Sequence, residues 1–195
     1  MLVLGSRLHE TPVMSLQTGT RLATIGTPLV NPANLKIIAF ELEGALLTER
    51  PSFLRVADIR ELSGVGMIID SSDELLALDD VIKIKELHEL DFKLVGMSVI
   101  DEHKKKLGKV EDYTVETGNF VIEQLNIKHG IIRSLTDTGL LVHRSQIIEI
   151  NDNAIIVKST AKRVSVAPVM NAVRHEYVNP FRSPSPQPEQ SDSGR

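Results

Sequence analysis

Alternating apolar and polar positions predict β-strands through most of the chain. Residues 38–43 place apolar side chains at every second position, which is the pattern of a strand with one buried face. Two runs rich in β-branched residues, 107–115 and 120–128, flank the short polar segment 116–119, and this arrangement predicts a hairpin. The segment 31–34, Asn-Pro-Ala-Asn, has the composition of a turn and predicts a similar hairpin earlier in the chain.

The same pattern occurs twice, which indicates an internal duplication. Residues 22–25 resemble residues 107–110, and residues 34–37 resemble residues 119–122, both at an offset of 85 positions. Four further matches keep the same order at offsets between 83 and 88: 14–16 with 97–99, 40–42 with 125–127, 58–62 with 146–150, and 67–69 with 154–156. We therefore expect two copies of one domain of roughly 70–80 residues, a size at which the stability of a domain is marginal.

Several short strands with frequent turns favour a small barrel in each copy. Closure into a barrel removes the open sheet edges through which small β domains aggregate. Between the copies, Val81, Ile84 and Leu87 recur at helical spacing, which predicts a connector helix, and a strand is the alternative. The predicted fold is mainly β: two tandem small antiparallel β-barrels joined by a short connector helix.

This interpretation divides the chain into four parts. Residues 1–78 form the first barrel-like domain, 79–91 the connector, 92–163 the second barrel, and 164–195 a C-terminal extension. Four of the nine prolines fall in the last 17 residues, where few side chains are apolar. Because such a segment cannot offset its ordering entropy, we expect disorder from about residue 179.

The second copy resembles a PRC-barrel domain. Residues 95–101 (Val-Gly-Met-Ser-Val-Ile-Asp), a charged turn and residues 107–112 (Leu-Gly-Lys-Val-Glu-Asp) are similar to the opening of that domain, and residues 146–157 to its ending. The first copy has Ala23-Thr24 where the motif has Gly-Lys, so it is a divergent version. The resemblance implies a six-stranded antiparallel barrel with no enzymatic activity. Members of the family include the C-terminal domain of the ribosome-maturation factor RimM and the cytoplasmic domain of the reaction-centre H subunit, where the barrel mostly binds other proteins.

Composition excludes several kinds of chemistry. Cysteine is absent, which rules out disulfides, thiolate catalysis and Cys-ligated zinc. The six histidines show no short metal-ligand spacing, and only 4% of residues are aromatic, so we expect neither a metal site nor a platform for stacking bases. No run of about 18 apolar residues occurs, and no secretory signal is recognisable, so we expect a cytoplasmic protein without a membrane span.

No catalytic constellation stands out. Asp137-Thr138-Gly139 has the sequence of the active-site tripeptide of aspartic proteases. It is followed by Leu140 and not by the Ala or Ser usual after that motif, so a turn is the simpler interpretation. Residues 63–66 are glycine-rich but lack the Lys-Ser/Thr of a phosphate-binding loop. Glu111 and Asp112 are adjacent on a predicted strand, so their side chains point to opposite faces. We therefore expect neither an enzyme nor a bound cofactor.

Lys104, Lys105 and Lys106 form the only dense charge run in a chain of net charge −4. A solvated hairpin tip is the simpler interpretation, and a docking loop for an acidic partner, ribosomal RNA or an anionic lipid surface is the functional one. The neighbouring Asp101 and Glu102 weaken the functional interpretation. We expect a non-enzymatic adaptor for an unknown protein partner. A ribosome-assembly or RNA-associated role similar to that of RimM is the alternative, and a small-ligand binder or enzyme ranks third.

Overall fold

The computed structural model describes residues 1–128 and 139–159. Strands dominate this part of the chain, so the expected mainly β class is confirmed. The strands of the first half are β1 (Leu2–Leu4), β2 (Pro12–Ser15), β3 (Arg21–Asn31), β4 (Lys36–Glu43), β5 (Ser52–Arg55), β6 (Glu61–Ser63), β7 (Gly66–Ile69) and β8 (Leu75–Ala77). Those of the second half are β9 (Ser98–Asp101), β10 (Lys106–Glu116), β11 (Val121–Lys128), β12 (Leu140–His143), β13 (Ile147–Ile150) and β14 (Ala154–Val157). The helices are α1 (Gly5–Leu8) and α2 (Ile82–Glu89).

Both halves use the same order of ladders. Each is built on a hairpin of two long strands, β3–β4 and β10–β11. The preceding strand pairs with the first long strand, and the following strand pairs with the second. In each half the last strand of the repeat runs parallel to the first one, β7 beside β2 and β14 beside β9. This parallel pairing differs from the prediction that all strands are antiparallel. Strands joined by a short hairpin must be antiparallel, whereas strands far apart in sequence can pair in parallel because a long connection crosses between them.

The register of the ladders corrects two of the sequence matches. Val13 pairs with Ala23, and Val99 pairs with Gly108, the residue equivalent to Ala23. Val13 therefore corresponds to Val99 at an offset of 86, so the match of 14–16 with 97–99 is wrong. Met67 pairs with Val13 as Ile155 pairs with Val99, which moves the match at 67–69 from an offset of 87 to 88. Such slips matter because a shift of one residue sends a strand's side chains to the opposite face.

The ladders form an open run within the described residues. The hydrogen-bonded order goes from β13 through β14, β9, β10, β11, β4, β3, β2 and β7 to β6, and no ladder joins its two ends. Closure of each half into a barrel therefore stays a prediction, as do the domain boundaries. One core cluster nevertheless draws on both halves, with Ile25 and Met67 from the first and Val110 and Ile155 from the second.

The two halves join where the long hairpins meet. Lys36 at the start of β4 pairs with Val121 at the start of β11. The amide of Ile37 donates to the carbonyl of Phe120, and the amide of Ile122 donates to the carbonyl of Leu35, both at 2.9 Å. Leu35 and Phe120 also share a left-handed backbone, with φ of 56° and 54°. These reciprocal contacts relate the halves by an approximate two-fold axis.

The connector helix α2 covers the outer face of the first half. Its Ile84 is fully buried against Leu29, Ala39 and Phe53, which lie on β3, β4 and β5. The helix expected between the copies is therefore present, and it explains why both faces of these strands are apolar. The corresponding positions of the second half hold Thr114, Gln124 and Leu141, which are half-buried.

The N-terminal residues pack on the second half. β1 pairs with the end of β10, with Val3 opposite Val115. α1 follows, and its Gly5 lies so close to the ring of Tyr113 that a side chain there would collide with it. Residues that the sequence assigns to the first domain thus contribute to the sheet of the second.

Candidate functional site

The predicted docking loop is the tip of the β9–β10 hairpin. Lys104, Lys105 and Lys106 are all exposed there. Asp101 fixes the shape of the loop: it is only 7% exposed, and its Oδ1 accepts hydrogen bonds from the amides of His103 and Lys105, each at 2.9 Å. This carboxylate is thus directed at backbone groups rather than at the lysine ammonium groups.

Two further lysines extend the charge of the loop. Lys158 directly follows Val157, which pairs with Asp101, and Lys109 lies three residues beyond Lys106 on β10. Both are exposed. Within the described ranges no ion pair engages any member of this group, which we call the lysine surface: Lys104, Lys105, Lys106, Lys109 and Lys158.

The nearby acidic groups have other partners. Glu102 accepts a hydrogen bond of 3.0 Å from the hydroxyl of Ser159. Glu111 forms an ion pair of 2.8 Å with Lys128. The acids that weakened the docking interpretation of the sequence therefore do not pair with the ammonium groups of the lysine surface.

The first half lacks this concentration of charge. Ser15 and Asp101 occupy equivalent places, since the Ser15 amide donates to the carbonyl of Thr20 and the Asp101 amide to that of Lys105, both at 2.9 Å. The ladders place Asp70 where the second half has Lys158. Position by position, the first half carries Gly19, Thr20, Arg21, Thr24 and Asp70 in place of the five lysines.

A cleft of about 570 Å³ opens between the two halves near the approximate two-fold axis. Equivalent segments of both halves line it. The pairs are Leu8 with Leu94, Gly26 with Glu111, Thr27 with Asp112, and Pro28 with Tyr113. Burial raises the pKa of the Tyr113 phenol, which is 5% exposed. No local sequence pattern predicts this cleft, because its lining residues come from five separated segments.

Two carboxylates and the lysine of the cleft are held by structural contacts, whereas the His9 imidazole is exposed. Asp112 accepts hydrogen bonds from the hydroxyl of Ser6 at 2.6 Å and from its amide at 3.1 Å. Lys93 pairs with Asp91 at 2.9 Å, and Glu111 pairs with Lys128 outside the cleft. Among the described residues, no side-chain hydrogen bond links two titratable groups of the cleft in the way that an acid–base or nucleophile–base pair requires.

The other sequence motifs provide no alternative site. Residues 63–66 form the turn between β6 and β7, as expected. Asp137 and Thr138 of the protease-like tripeptide lie outside the described residues, as do the C-terminal extension and the disorder predicted for it. No cluster of His, Asp and Glu among the described residues could hold a metal ion. No helix in the described ranges is long and apolar enough to cross a bilayer.

The sequence predicted the lysine loop but not the other two of the five lysines on the surface. Lys109 and Lys158 are isolated in the sequence, and only the ladders of β9 with β10 and β14 bring them towards the loop. The available signal was the repeat itself, because aligning the halves by burial shows five lysines at positions where the first half has a single cation.

Comparison with known proteins agrees with the second half of the fold. No curated protein matches the chain. A family model does match, over residues 88–164, and it is described as the PRC-barrel domain. This range includes β9–β14 and every residue of the lysine surface. The resemblance expected from the sequence is confirmed: residues 88–164 of this chain match the PRC-barrel domain family.

Proposed function

We propose that this chain is a non-enzymatic, cytoplasmic adaptor that docks a partner protein through the lysine surface. In this proposal the halves are tandem copies of one small PRC-barrel-like module, and the first copy has diverged. The repeated order of ladders supports the duplication, and closure into barrels would protect the outer edge strands β6 and β13.

One observation carries the proposal: five exposed lysines lie on neighbouring strands and their hairpin, and none has an ion-pair partner among residues 1–128 and 139–159. A structural role for a lysine is usually visible as an ion pair or hydrogen bond with the rest of the chain. The first half forms a hairpin at the equivalent place with Gly19 and Thr20, although its tip is one residue longer, which supports the view that the fold does not need these charges. Exposed charge of one sign attracts a partner of opposite charge and accelerates its association.

The cleft supports the non-enzymatic part of the proposal. Its carboxylates and its lysine are bound to neighbouring groups of the same chain. An acid or base for catalysis must instead reach a substrate atom within hydrogen-bond distance.

A protein partner fits the surface better than RNA. Proteins that bind single-stranded RNA stack its bases on exposed aromatic side chains. Among the described aromatic residues, Phe92 is half-buried and lines the cleft, and the others, Phe40, Phe53, Tyr113 and Phe120, are buried, so none of them offers such a platform beside the lysines. The crosslinking experiment described next distinguishes an RNA partner from a protein partner.

Site-specific photo-crosslinking tests the proposal. A photoreactive amino acid replaces His103, which is exposed beside the three lysines, so that every lysine is retained. The matched control replaces Thr18, which is exposed at the tip of the equivalent hairpin in the first half. We expect a protein to be crosslinked from position 103 and not from position 18. Crosslinks to RNA alone, or no crosslinked protein at position 103, would contradict the proposal.

A further inference from the structure

Lys104 occupies a backbone conformation that favours glycine. Its φ is +65°, and Gly19 at the equivalent hairpin position has φ of +66°. A side chain in this left-handed region is disfavoured because its Cβ crowds the following carbonyl oxygen, whereas glycine adopts the region freely. The second half therefore keeps a lysine where the same fold accepts glycine at no steric cost.

The loop holds this conformation through several hydrogen bonds. The amide of Lys104 donates to the carbonyl of Asp101 at 2.9 Å, and the amide of Asp101 donates to the carbonyl of Lys105 at 2.9 Å. The buried carboxylate of Asp101 adds two more bonds to the same turn. The ammonium group of Lys104 is thus presented from an ordered backbone, which reduces the entropy lost when a partner binds.

Most of the exposed charge around Lys104 is cationic, and the exposed acid of the loop, Glu102, accepts a hydrogen bond from Ser159. The exposed large apolar side chains of the described residues all lie elsewhere, the nearest in sequence being Val95 and Ile148. The apolar side chains between the lysines, Ile100 and Ile156, are half-buried, so they offer less contact to lipid acyl chains than fully exposed side chains would. The surface also contains lysines and no arginine, whereas bidentate recognition of phosphate favours arginine.

The lysines extend across three neighbouring strands. β14 pairs with β9, and β9 pairs with β10, so Lys158 and Lys106 lie on the two outer strands of this group. Adjacent strands are about 4.8 Å apart, so the lysines span roughly 10 Å. Side chains on one face of an extended peptide recur about every 6.6 Å, so alternate carboxylates can reach more than one lysine.

We propose, building on the docking function above, that the lysine surface takes an acidic segment of the partner protein. Carboxylates of the segment bind Lys105, Lys106 and Lys158, and Lys104 at the hairpin tip is the specificity-determining contact. The lysine at this glycine-favouring position is retained for the contact that its ammonium group makes.

The test measures binding of the purified full-length chain to a fluorescent peptide made of glutamate and serine. We expect saturable binding that weakens with added salt. Lys104→Gly should weaken it about three-fold, the scale of one exposed ion pair, while its melting temperature stays equal or rises. Lys83→Ala removes an exposed charge on α2, outside the surface, and should leave binding unchanged. Reversal of Lys104, Lys105 and Lys106 to glutamate should weaken binding by more than about tenfold.

Other probes separate failure of this inference from failure of the docking function. Vesicles containing phosphatidylserine and a single-stranded polyuridine are titrated in the same assay. Binding of either one through the three lysines, without binding of the acidic peptide, overturns the inference. If the peptide does not bind while position 103 still crosslinks a protein, the docking function stands and the acidic partner is wrong. Equal binding by Lys104→Gly and the unmodified chain excludes Lys104 as the specificity-determining contact.

Discussion

The rings of Phe40 and Phe120 meet edge to face across the junction of the two halves, with centroids 6.0 Å apart and an interplanar angle of 74°. Phe40 belongs to β4 of the first half, and Phe120 precedes β11 of the second. Both are buried in the core cluster that the halves share. The contact therefore couples the stability of one half to that of the other.

Replacing Phe40 with alanine should destabilise the whole described fold. Loss of a fully buried phenylalanine side chain costs about 3–5 kcal/mol, because a cavity remains. Urea unfolding followed by circular dichroism should show one transition at a lower midpoint. A second transition, in which one half unfolds alone at the original midpoint, would show that the halves are not coupled.

Gly108 of the Leu-Gly-Lys-Val motif should not tolerate alanine. Its φ is +150°, and a Cβ there would collide with the backbone carbonyl oxygen of Lys128 on the neighbouring strand. Because a backbone atom cannot move aside cheaply, we expect Gly108→Ala to cost about 1–3 kcal/mol. Ala23 is the equivalent position in the first half, and Ala23→Gly is the control. Equal thermal stability of Gly108→Ala and the unmodified chain would disprove the steric argument.

Lys104→Gly should stabilise the chain although it weakens binding. Relief of the left-handed strain should exceed the entropy cost of an added glycine by about 0.5–1 kcal/mol. Thermal unfolding of the purified protein measures the effect. Gly19→Ala provides the reciprocal control, since it introduces the same strain into the first half and should lower the melting temperature. A lower melting temperature for Lys104→Gly would contradict this prediction.

Glu116 should make the N-terminal contact sensitive to acid. The pKa of its carboxyl is lowered, first by the amide of Gly118 at 3.0 Å and then by the N-terminal ammonium group at 3.2 Å. Because the folded pKa is below the unfolded one, this stabilisation is present at neutral pH and disappears as the pH falls through the lowered value.

Glu116→Gln removes the charge and keeps an oxygen that can accept the Gly118 amide. We expect this variant to have a lower urea midpoint than the unmodified chain at neutral pH. The two midpoints should converge in acid, below the lowered pKa. A difference that persists there would assign the effect to packing rather than to charge.

The sequence predicted most strands because alternation and turn composition are local properties. It predicted the hairpin 107–128 and the duplication from such patterns. It misaligned residues 14–16, because a shared Met-Ser pair outweighed burial and because the first hairpin tip is one residue longer than the second. Contacts between distant segments had no local signal. The pairing of β1 with β10, the cleft, and the addition of Lys158 to the surface are all of this kind.

The shared core determines how the two halves can act on other molecules. Modules on a flexible tether search for their targets independently, and their combined affinity depends on tether length. Here the amides of Ile37 and Ile122 donate across the junction to the carbonyls of Phe120 and Leu35, and both isoleucines are fully buried. A molecule that contacts both halves therefore meets binding groups at a fixed separation. Lengthening the segment between α2 and β9 should not change the affinity with which that molecule binds.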